Sequence, residues 1–426
     1  MTDSEKLLCE LIALPSVNPA FLPAGDPRAG EGWVAHFLAA VAAQAGLDVD
    51  LQNVDPSPSE SVQPLPPPIG QERIETAGSQ QSAICNPPSL CELRRDKSAI
   101  RNPQSAIRTN LIATLRPARR ARLRLLLAPH LDTVPATDDG QFAPRLGSGR
   151  IYGRGACDTK GSVAAMLTAL CQLAKQGPRP AETEIIFAGL VDEEHGQCGS
   201  RALAASRFKA NLAIVGEPTG LRIVTAHKGS LWLSLATRGK SAHSSRPDLG
   251  RNAVHEMARV VCLLENEYAR RLRRRRHPLL GHATVNVGAI SGGTQPNIVP
   301  AACRISVDRR TLPGEKESSI RAEMMAMFRR RKLRVTIATR KQAPCLPMET
   351  DAGLPLVRQF FRVAGQKKPA GVDYFCDASV LSHAGIASVV FGPGDIAQAH
   401  TAEEWIERKS LEAATALLLK FLRSLP

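Results

Sequence analysis

The chain has 426 residues, 43 % hydrophobic and 22 % charged, with a formal net charge of +15. That length exceeds what one hydrophobic core usually holds, so two domains are expected, and no apolar run is long enough to span a bilayer. The basic excess, 55 Lys and Arg against 40 Asp and Glu, lies largely in RRLRRRRH (270–277) and FRRRKLR (328–334); with aromatic residues at only 4 %, no stacking platform for nucleic acid accompanies these runs, which read as solvated helix ends.

The N-terminus, MTDSEKLLCELIALPSVNP, has no basic stretch leading into an apolar one and reads as a capped helix ending before Pro15. EGWVAHFLAAVAAQAG predicts an amphipathic helix closed by Gly46, and LDVDLQNV alternates like a strand. From about Asp55 to Ile107 the chain turns rich in Pro, Ser and Gln, with near-repeats SAICNP (82–87), SAIRNP (98–103) and QSAIR (104–108). Such a stretch buries too little apolar surface to offset its ordering entropy, so a disordered insertion between two strands of one domain is expected. Order resumes with the strands TNLIATL (109–115) and LRLLLAPHLDTVP, the helix VAAMLTALCQLAKQG (163–177), and the strands ETEIIFAGLVDEE (182–194) and NLAIVGEPTG (211–220).

Strands alternating with helices predict an α/β domain with a mostly parallel central sheet. After Gly229 the order becomes strand, helix (251–272), strand, strand, helix, strand, that of a small α+β unit. Beyond about Lys341 the α/β pattern returns and runs to the C-terminal helix. The expected organisation is a large α/β domain made of 1–226 and 342–426, interrupted by a unit at 227–341. Ten cysteines without a CxxC pair predict reduced thiols and a cytoplasmic setting.

Ligands of a parallel α/β sheet sit beyond the carboxyl ends of its strands. LLLAPHLD ends in His130 and Asp132, IIFAGLVDEE in Glu193 and Glu194, and LAIVGEPT in Glu217; SVVFGPGDIAQAH leads to His400, and Asp158 opens a helix in GRGACDTKG. Two imidazoles and three carboxylates (His130, His400, Asp158, Glu194, Glu217) are borderline ligands suited to zinc, and too many for one catalytic ion. They suit two ions sharing a carboxylate, about 3.5–4 Å apart. Asp132 then remains to orient His130, and Glu193 to take a proton from the water that attacks.

At this point the sequence resembles a known family. HLDTVP, GRGACDTKGSVAAML, VDEEHGQCGS, GEPT and GPGDIAQAHTAEEW are similar to motifs of the dinuclear zinc hydrolases that include acetylornithine deacetylase, succinyl-diaminopimelate desuccinylase, aminoacylase and glutamate carboxypeptidase, with GPGDIAQAH nearest to the acetylornithine deacetylases. The resemblance covers nearly all of the chain except about 55–107.

It implies a zinc-peptidase-like catalytic domain with an inserted ferredoxin-like α+β lid that also dimerises. Two zinc ions are implied, with cobalt an alternative: His130 and Glu217 on one, Glu194 and His400 on the other, Asp158 bridging. Glu193 would be the general base and acid, and Asp132 would orient His130. The peptide after Asp158 is cis in such proteins. GKSAHSSRPDLGRNAV and GGTQPNIVPAACRISVDRR imply that His243 reaches the partner subunit's site as an oxyanion donor. They also imply that Asn297 and Arg310 hold the substrate carboxylate, with Gly392 and Gly394 forming a nearby loop.

The implied reaction is deacylation of an N-acyl amino acid in a cytoplasmic homodimer of arginine biosynthesis. Desuccinylase, dipeptidase or carboxypeptidase chemistry is the alternative. Neither a membrane nor nucleic acid is an expected partner, although a nucleic-acid-binding protein using the basic surface is the reading from a different class. Apart from the motifs, His195 reads as a residue supporting the ligands or a surface residue, His227 as a hinge or packing residue, and Cys157 and Cys198 as small buried fillers.

Overall fold

The structure, a computed structural model, describes residues 1–55, 108–339 and 344–426. The expected insertion and the boundary near Lys341 fall almost wholly outside the described residues.

In the first part of the chain, helices α1 (Asp3–Ile12) and α2 (Gly32–Gln44) precede strands β1 (Asp48–Val54), β2 (Arg108–Leu115) and β3 (Leu123–Pro129). A capping box between Thr2 and Glu5 starts α1, as the opening TDSE predicts. Then come β4 (Arg145–Gly147), β5 (Arg150–Tyr152), helix α3 (Lys160–Gln176), β6 (Thr183–Gly189), α4 (Cys198–Ala205), β7 (Leu212–Gly216) and β8 (Val224–His227).

The next segment carries β9 (Gly229–Arg238), α5 (Ala253–Leu263), a π-turn at Leu264–Tyr268, α6 (Ala269–Arg273), β10 (Arg276–His277), β11 (Gly281–His282), β12 (Thr284–Gly292), β13 (Ala302–Thr311), α7 (Glu317–Arg330) and β14 (Val335–Thr339). The chain closes with β15 (Met348–Glu349), α8 (Pro355–Ala364), β16 (Ala370–Val372), α9 (Ala378–His383), β17 (Ser388–Val390), β18 (Trp405–Glu407) and α10 (Arg408–Arg423).

The described strands form a nine-stranded sheet in the order β1-β2-β6-β3-β7-β17-β8-β15, with β16 also paired to β8. It is mixed, which corrects the expected mostly parallel sheet. β6, β3, β7 and β17 run parallel to one another, because α3 and α4 carry the chain back between β3, β6 and β7. On one side β1, β2 and β6 pair antiparallel, and on the other β8 meets β17 and β15 antiparallel.

Both faces of the parallel centre are buried, which explains its unbroken apolar runs. Leu125, Leu127, Ile185, Phe187, Leu212 and Ile214 face α1, α2, α3, α8 and α10. Their neighbours Leu126, Ala128, Ile186, Ala188, Ala213 and Val215 face the other way, toward α4 and α9. Period-two alternation thus feeds two cores from each strand.

The chain leaves this sheet after His227 and enters a second, four-stranded antiparallel sheet in the order β12-β13-β9-β14. Its inward side chains, among them Leu233, Leu235, Ile305 and Val307, form a separate core with Met257, Val260, Tyr268, Met324 and Phe328 of the covering helices. The basic runs lie on that helical layer and are partly matched there: Arg271 and Arg275 pair with Glu323, and Arg331 with Glu267.

Candidate metal centre

The parallel order brings four strand ends to one edge. His130 follows β3 directly, Glu193 and Glu194 follow β6, Glu217 follows β7, and the segment after β17 leads to His400. β3 and β6 stay in register past their formal ends: Leu131 N–H donates to Leu190 O at 2.7 Å, and Leu190 N–H to Pro129 O at 3.0 Å. His130 and the Glu193–Glu194 turn are therefore held side by side.

At the centre, His130 Nε2 lies 3.1 Å from Asp158 Oδ1 and 3.9 Å from Glu217 Oε1. On the other side of Asp158, His400 Nε2 is 3.4 Å from Oδ2 and 3.2 Å from Glu194. Asp158 thus has one oxygen toward each imidazole. His130 belongs to two groups of three potential ligand atoms lying within 4.8 Å of one another, one with Glu193 and Glu217, the other with Asp158 and Glu194. All five expected ligands and Glu193 come together, although they lie as far apart in sequence as residues 130 and 400.

Asp132 organises the floor. Its carboxylate accepts hydrogen bonds from Glu193 N–H (3.0 Å), Glu194 N–H (3.1 Å) and Asn18 Nδ2 (2.7 Å). Its Oδ1 is 3.4 Å from His130 Nδ1, while its main-chain oxygen is nearer, at 3.0 Å. The turn that aims these two amides at Asp132 is made by Asp192 with φ 68°, and Asp is among the few side chains that tolerate that region. Asp192 is held in turn by Asn18 and Arg108.

Asp158 is set from below. Glu404, fully buried, accepts from the N–H groups of Gly155 (2.9 Å), Cys157 (2.8 Å) and Asp158 (3.0 Å) and pairs with Arg154 at 2.7 Å. The Asp158–Thr159 peptide is cis, and Thr159 Oγ1 donates to Gly216 O at 2.9 Å, tying the start of α3 to the end of β7. Neither Asn18, Asp192 nor Glu404 stands out in the sequence, although Glu404 lies inside the TAEEW motif. Removing the Glu404 carboxylate strands three amides and a guanidinium in the interior. Glu404→Ala is therefore expected to lower unfolding stability by about 3–5 kcal/mol, seen as a lower denaturation midpoint at unchanged m-value.

The electrostatics point to missing positive charge. Burial and the Glu217 carboxylate push Glu193 well above the usual carboxylate range, and burial likewise raises Glu217 and takes Glu194 to about 7. Burial also works against the charge of Asp158, but the hydrogen bonds from His130 and His400 outweigh it and hold Asp158 low. His400 is lifted to about 10 by Asp158 and then Glu194; for His130, burial opposes protonation, yet Asp132 and Asp158 win and raise it.

Five carboxylates around two imidazoles cannot all ionise without further cations. Glu217 Oε1, buried at the centre, has no hydrogen-bond partner among the described residues. An oxygen-and-nitrogen donor set with an orphaned carboxylate oxygen fits one or two divalent cations. Such cations compete with protons on His130 and His400, so their affinity is expected to rise with pH; proton release on zinc titration, measured in two buffers, checks this.

Three of the remaining expected site residues lie on the small unit and make other contacts. His243 is exposed on the small unit, its Nδ1 2.8 Å from Ser245 Oγ, and is not among the partners of the acids. Asn297 is exposed, and its main-chain oxygen accepts from Ser244 N–H. Arg310 is half-buried, bonded to Asp308 at 3.0 Å, with its guanidinium 5.8 Å from the Phe375 ring.

Gly392 and Gly394 back the centre: a Cβ at Gly392 would meet Glu217 O at 2.5 Å, and one at Gly394 would meet Cys157 Sγ at 2.6 Å. Of the residues read as bystanders, His195 is exposed and edge-on to Phe21, while His227, Cys157 and Cys198 are buried.

Known proteins resemble this chain over most of its length. Residues 126–424 match the model of peptidase family M20/M25/M40. The acetylornithine deacetylase of Myxococcus xanthus is 34 % identical over 326 residues, 74 % of this chain and 83 % of that protein. That of Proteus mirabilis is 31 % identical over 331 residues, 74 % and 82 % of the two chains. Among solved structures, an M20 family metallo-carboxypeptidase from Sulfolobus solfataricus superposes with a TM-score of 0.69 at 18 % identity, covering 99 % of both chains. Aminopeptidase PepT from Bacillus cereus gives 0.68 at 21 %, covering 99 % of this chain and 97 % of that one. The chain belongs to peptidase family M20/M25/M40 and is a hydrolase of amide bonds.

Proposed function

We propose that the protein removes the acyl group from an N-acyl amino acid, with N-acetylornithine as the favoured substrate. The observation that carries the chemistry is the pair of imidazoles on opposite oxygens of Asp158. The substrate choice rests on the relatives, which are acetylornithine deacetylases. Succinyl-diaminopimelate desuccinylation and dipeptide or C-terminal peptide hydrolysis are the alternatives, because specificity on one scaffold lies in a few pocket residues.

In this reading His130 and Glu217 would hold one divalent cation and Glu194 and His400 the other, with Asp158 shared between them; zinc would suit the donors and cobalt would serve. When bound, the pair supplies a Lewis acid for the scissile carbonyl and lowers the pKa of water from about 15.7 to about 7. Glu193 takes the proton from the attacking water and returns it to the leaving amine. Asp132 keeps His130 and the Glu193–Glu194 turn in place. Arg310 and Asn297, on the unit at 227–341, meet the substrate carboxylate. That unit acts as lid and dimer contact, and His243 serves the partner's site as an oxyanion donor.

A hydrolysis screen over N-acetylornithine, N-succinyl-diaminopimelate and several dipeptides, with and without added zinc, tests the reading. The expected result is fastest turnover of N-acetylornithine, abolished by chelator and restored by zinc. Turnover that survives exhaustive chelation would overturn the metal chemistry, and a preference for dipeptides would overturn the substrate.

A further inference from the structure

One short segment, Asp373–Asp377, touches four separate parts of the molecule. It leaves β16, whose Val372 pairs with His227 at the crossing between the two sheets. Asp373 Oδ1 is 2.8 Å from Lys228 Nζ, the residue between β8 and β9, and Lys228 N–H donates to Val372 O at 3.2 Å. Tyr374 donates its hydroxyl to Pro218 O at 3.1 Å, immediately after Glu217. Phe375 lies under the Arg310 guanidinium of the small sheet, 5.8 Å from it. Asp377 accepts from Ser200 Oγ at 2.6 Å, on the helix that follows the Glu193–Glu194 turn.

Four of five successive side chains therefore contact the hinge, the Glu217 loop, the small unit's arginine and the helix behind the base. Asp377 is fully buried, and its second oxygen, Oδ2, has no hydrogen-bond partner among the described residues. Its charge acts on both Glu193 and Glu217. A buried carboxylate with one unmatched oxygen is costly, and a surface loop would have no reason to keep it.

We infer that Asp373–Asp377 is a positioning strap that sets Arg310 on the small unit against the Glu217 loop and the Glu193–Glu194 turn, with Phe375 and Asp377 as its two anchors. This rests on the proposed hydrolase reading. Phe375 bounds one side of the guanidinium at 5.8 Å while Asp308 accepts from its Nε, which leaves the terminal nitrogens to meet a carboxylate. Asp377, through Ser200, fixes the helix from which the base turn hangs. The two anchors act on different stages, so their loss separates in kinetics.

The experiment uses the zinc-loaded full chain with N-acetylornithine and its methyl ester. Phe375→Ala is expected to raise KM for the free acid about tenfold, with kcat and the KM of the ester within about twofold of the parent. Asp377→Ala is expected to lower kcat by roughly 10–100-fold at similar KM and unchanged zinc content, as a small misplacement of the base turn would. Asp377→Asn, which keeps an acceptor for Ser200, recovers most of that loss, and Ser200→Ala reproduces it should Asp377→Ala fail to fold.

Hydrogen–deuterium exchange gives a readout independent of activity. Faster exchange is expected at 193–200 in Asp377→Ala and at 228–231 in Phe375→Ala. Parent-like exchange at both places overturns the strap, whether or not the wild-type protein hydrolyses these substrates. Absence of hydrolysis by the wild-type protein defeats the proposed function alone.

Discussion

Glu193→Gln is expected to lower kcat by roughly 10²–10⁴-fold, the usual worth of a positioned general acid–base, while zinc content stays at the wild-type level. The reason lies in the two turn residues. Both main-chain amides are fixed on Asp132, but the side chains diverge: Glu194 reaches His400 at 3.2 Å, whereas Glu193 lies within 4.8 Å of His130 and Glu217. Burial and the Glu217 charge raise its affinity for a proton, the property that lets a carboxylate take a proton from water and hold it for the leaving amine. The alternative role is a direct ligand beside His130. Metal analysis of the purified variant separates the two: a base leaves zinc in place, and a ligand takes one equivalent with it.

Asp158→Asn is expected to abolish turnover together with metal binding. Asp158 places one oxygen near each imidazole and is held from below by Glu404 through three main-chain amides, so no other carboxylate can take its place without moving the loop. The amide keeps the volume but loses the charge that joins the two halves. Loss of the Lewis acid forfeits several kcal/mol of transition-state stabilisation, on the order of 10³-fold or more in rate. Zinc stoichiometry by elemental analysis and kcat on N-acetylornithine should fall together. A variant that keeps two zincs per chain would show that Asp158 is no bridge.

The contrast between these residues and Glu404 shows what the sequence makes legible. His130, Glu194 and Glu217 announce themselves because apolar runs that need no polar ending stop at them, and a buried sheet explains both the run and the stop. Asp158 and His400 do not end an apolar strand and gain their meaning from the other donors they complete. Glu404, Asn18 and Asp192 do their work through amides and side chains far away in sequence, as with Glu404 and Asp158, so no local pattern marks them.

The fold divides in the same way. β3, β6 and β7 were legible as continuous apolar strands joined by helices. β15, β16 and β17, two or three residues each, are too short for any period, and β8 lies against the start of the small sheet. The antiparallel contacts of β8 with β15 and β17, together with the antiparallel pairing of β1, β2 and β6, turn an expected parallel sheet into a mixed one. The arginine runs illustrate the limits of counting charge: Glu267 and Glu323, which answer three of the arginines, lie on other turns of the paired helices and are invisible to a window along the chain.

The central claim is that two cations share Asp158. Anomalous scattering from zinc-soaked crystals, recorded at the zinc edge, tests it most directly. Two peaks about 3.5–4 Å apart are expected, one beside His130 and Glu217, the other beside His400 and Glu194, with Asp158 between them. A single peak, or zinc bound only at sites remote from Asp158, contradicts it.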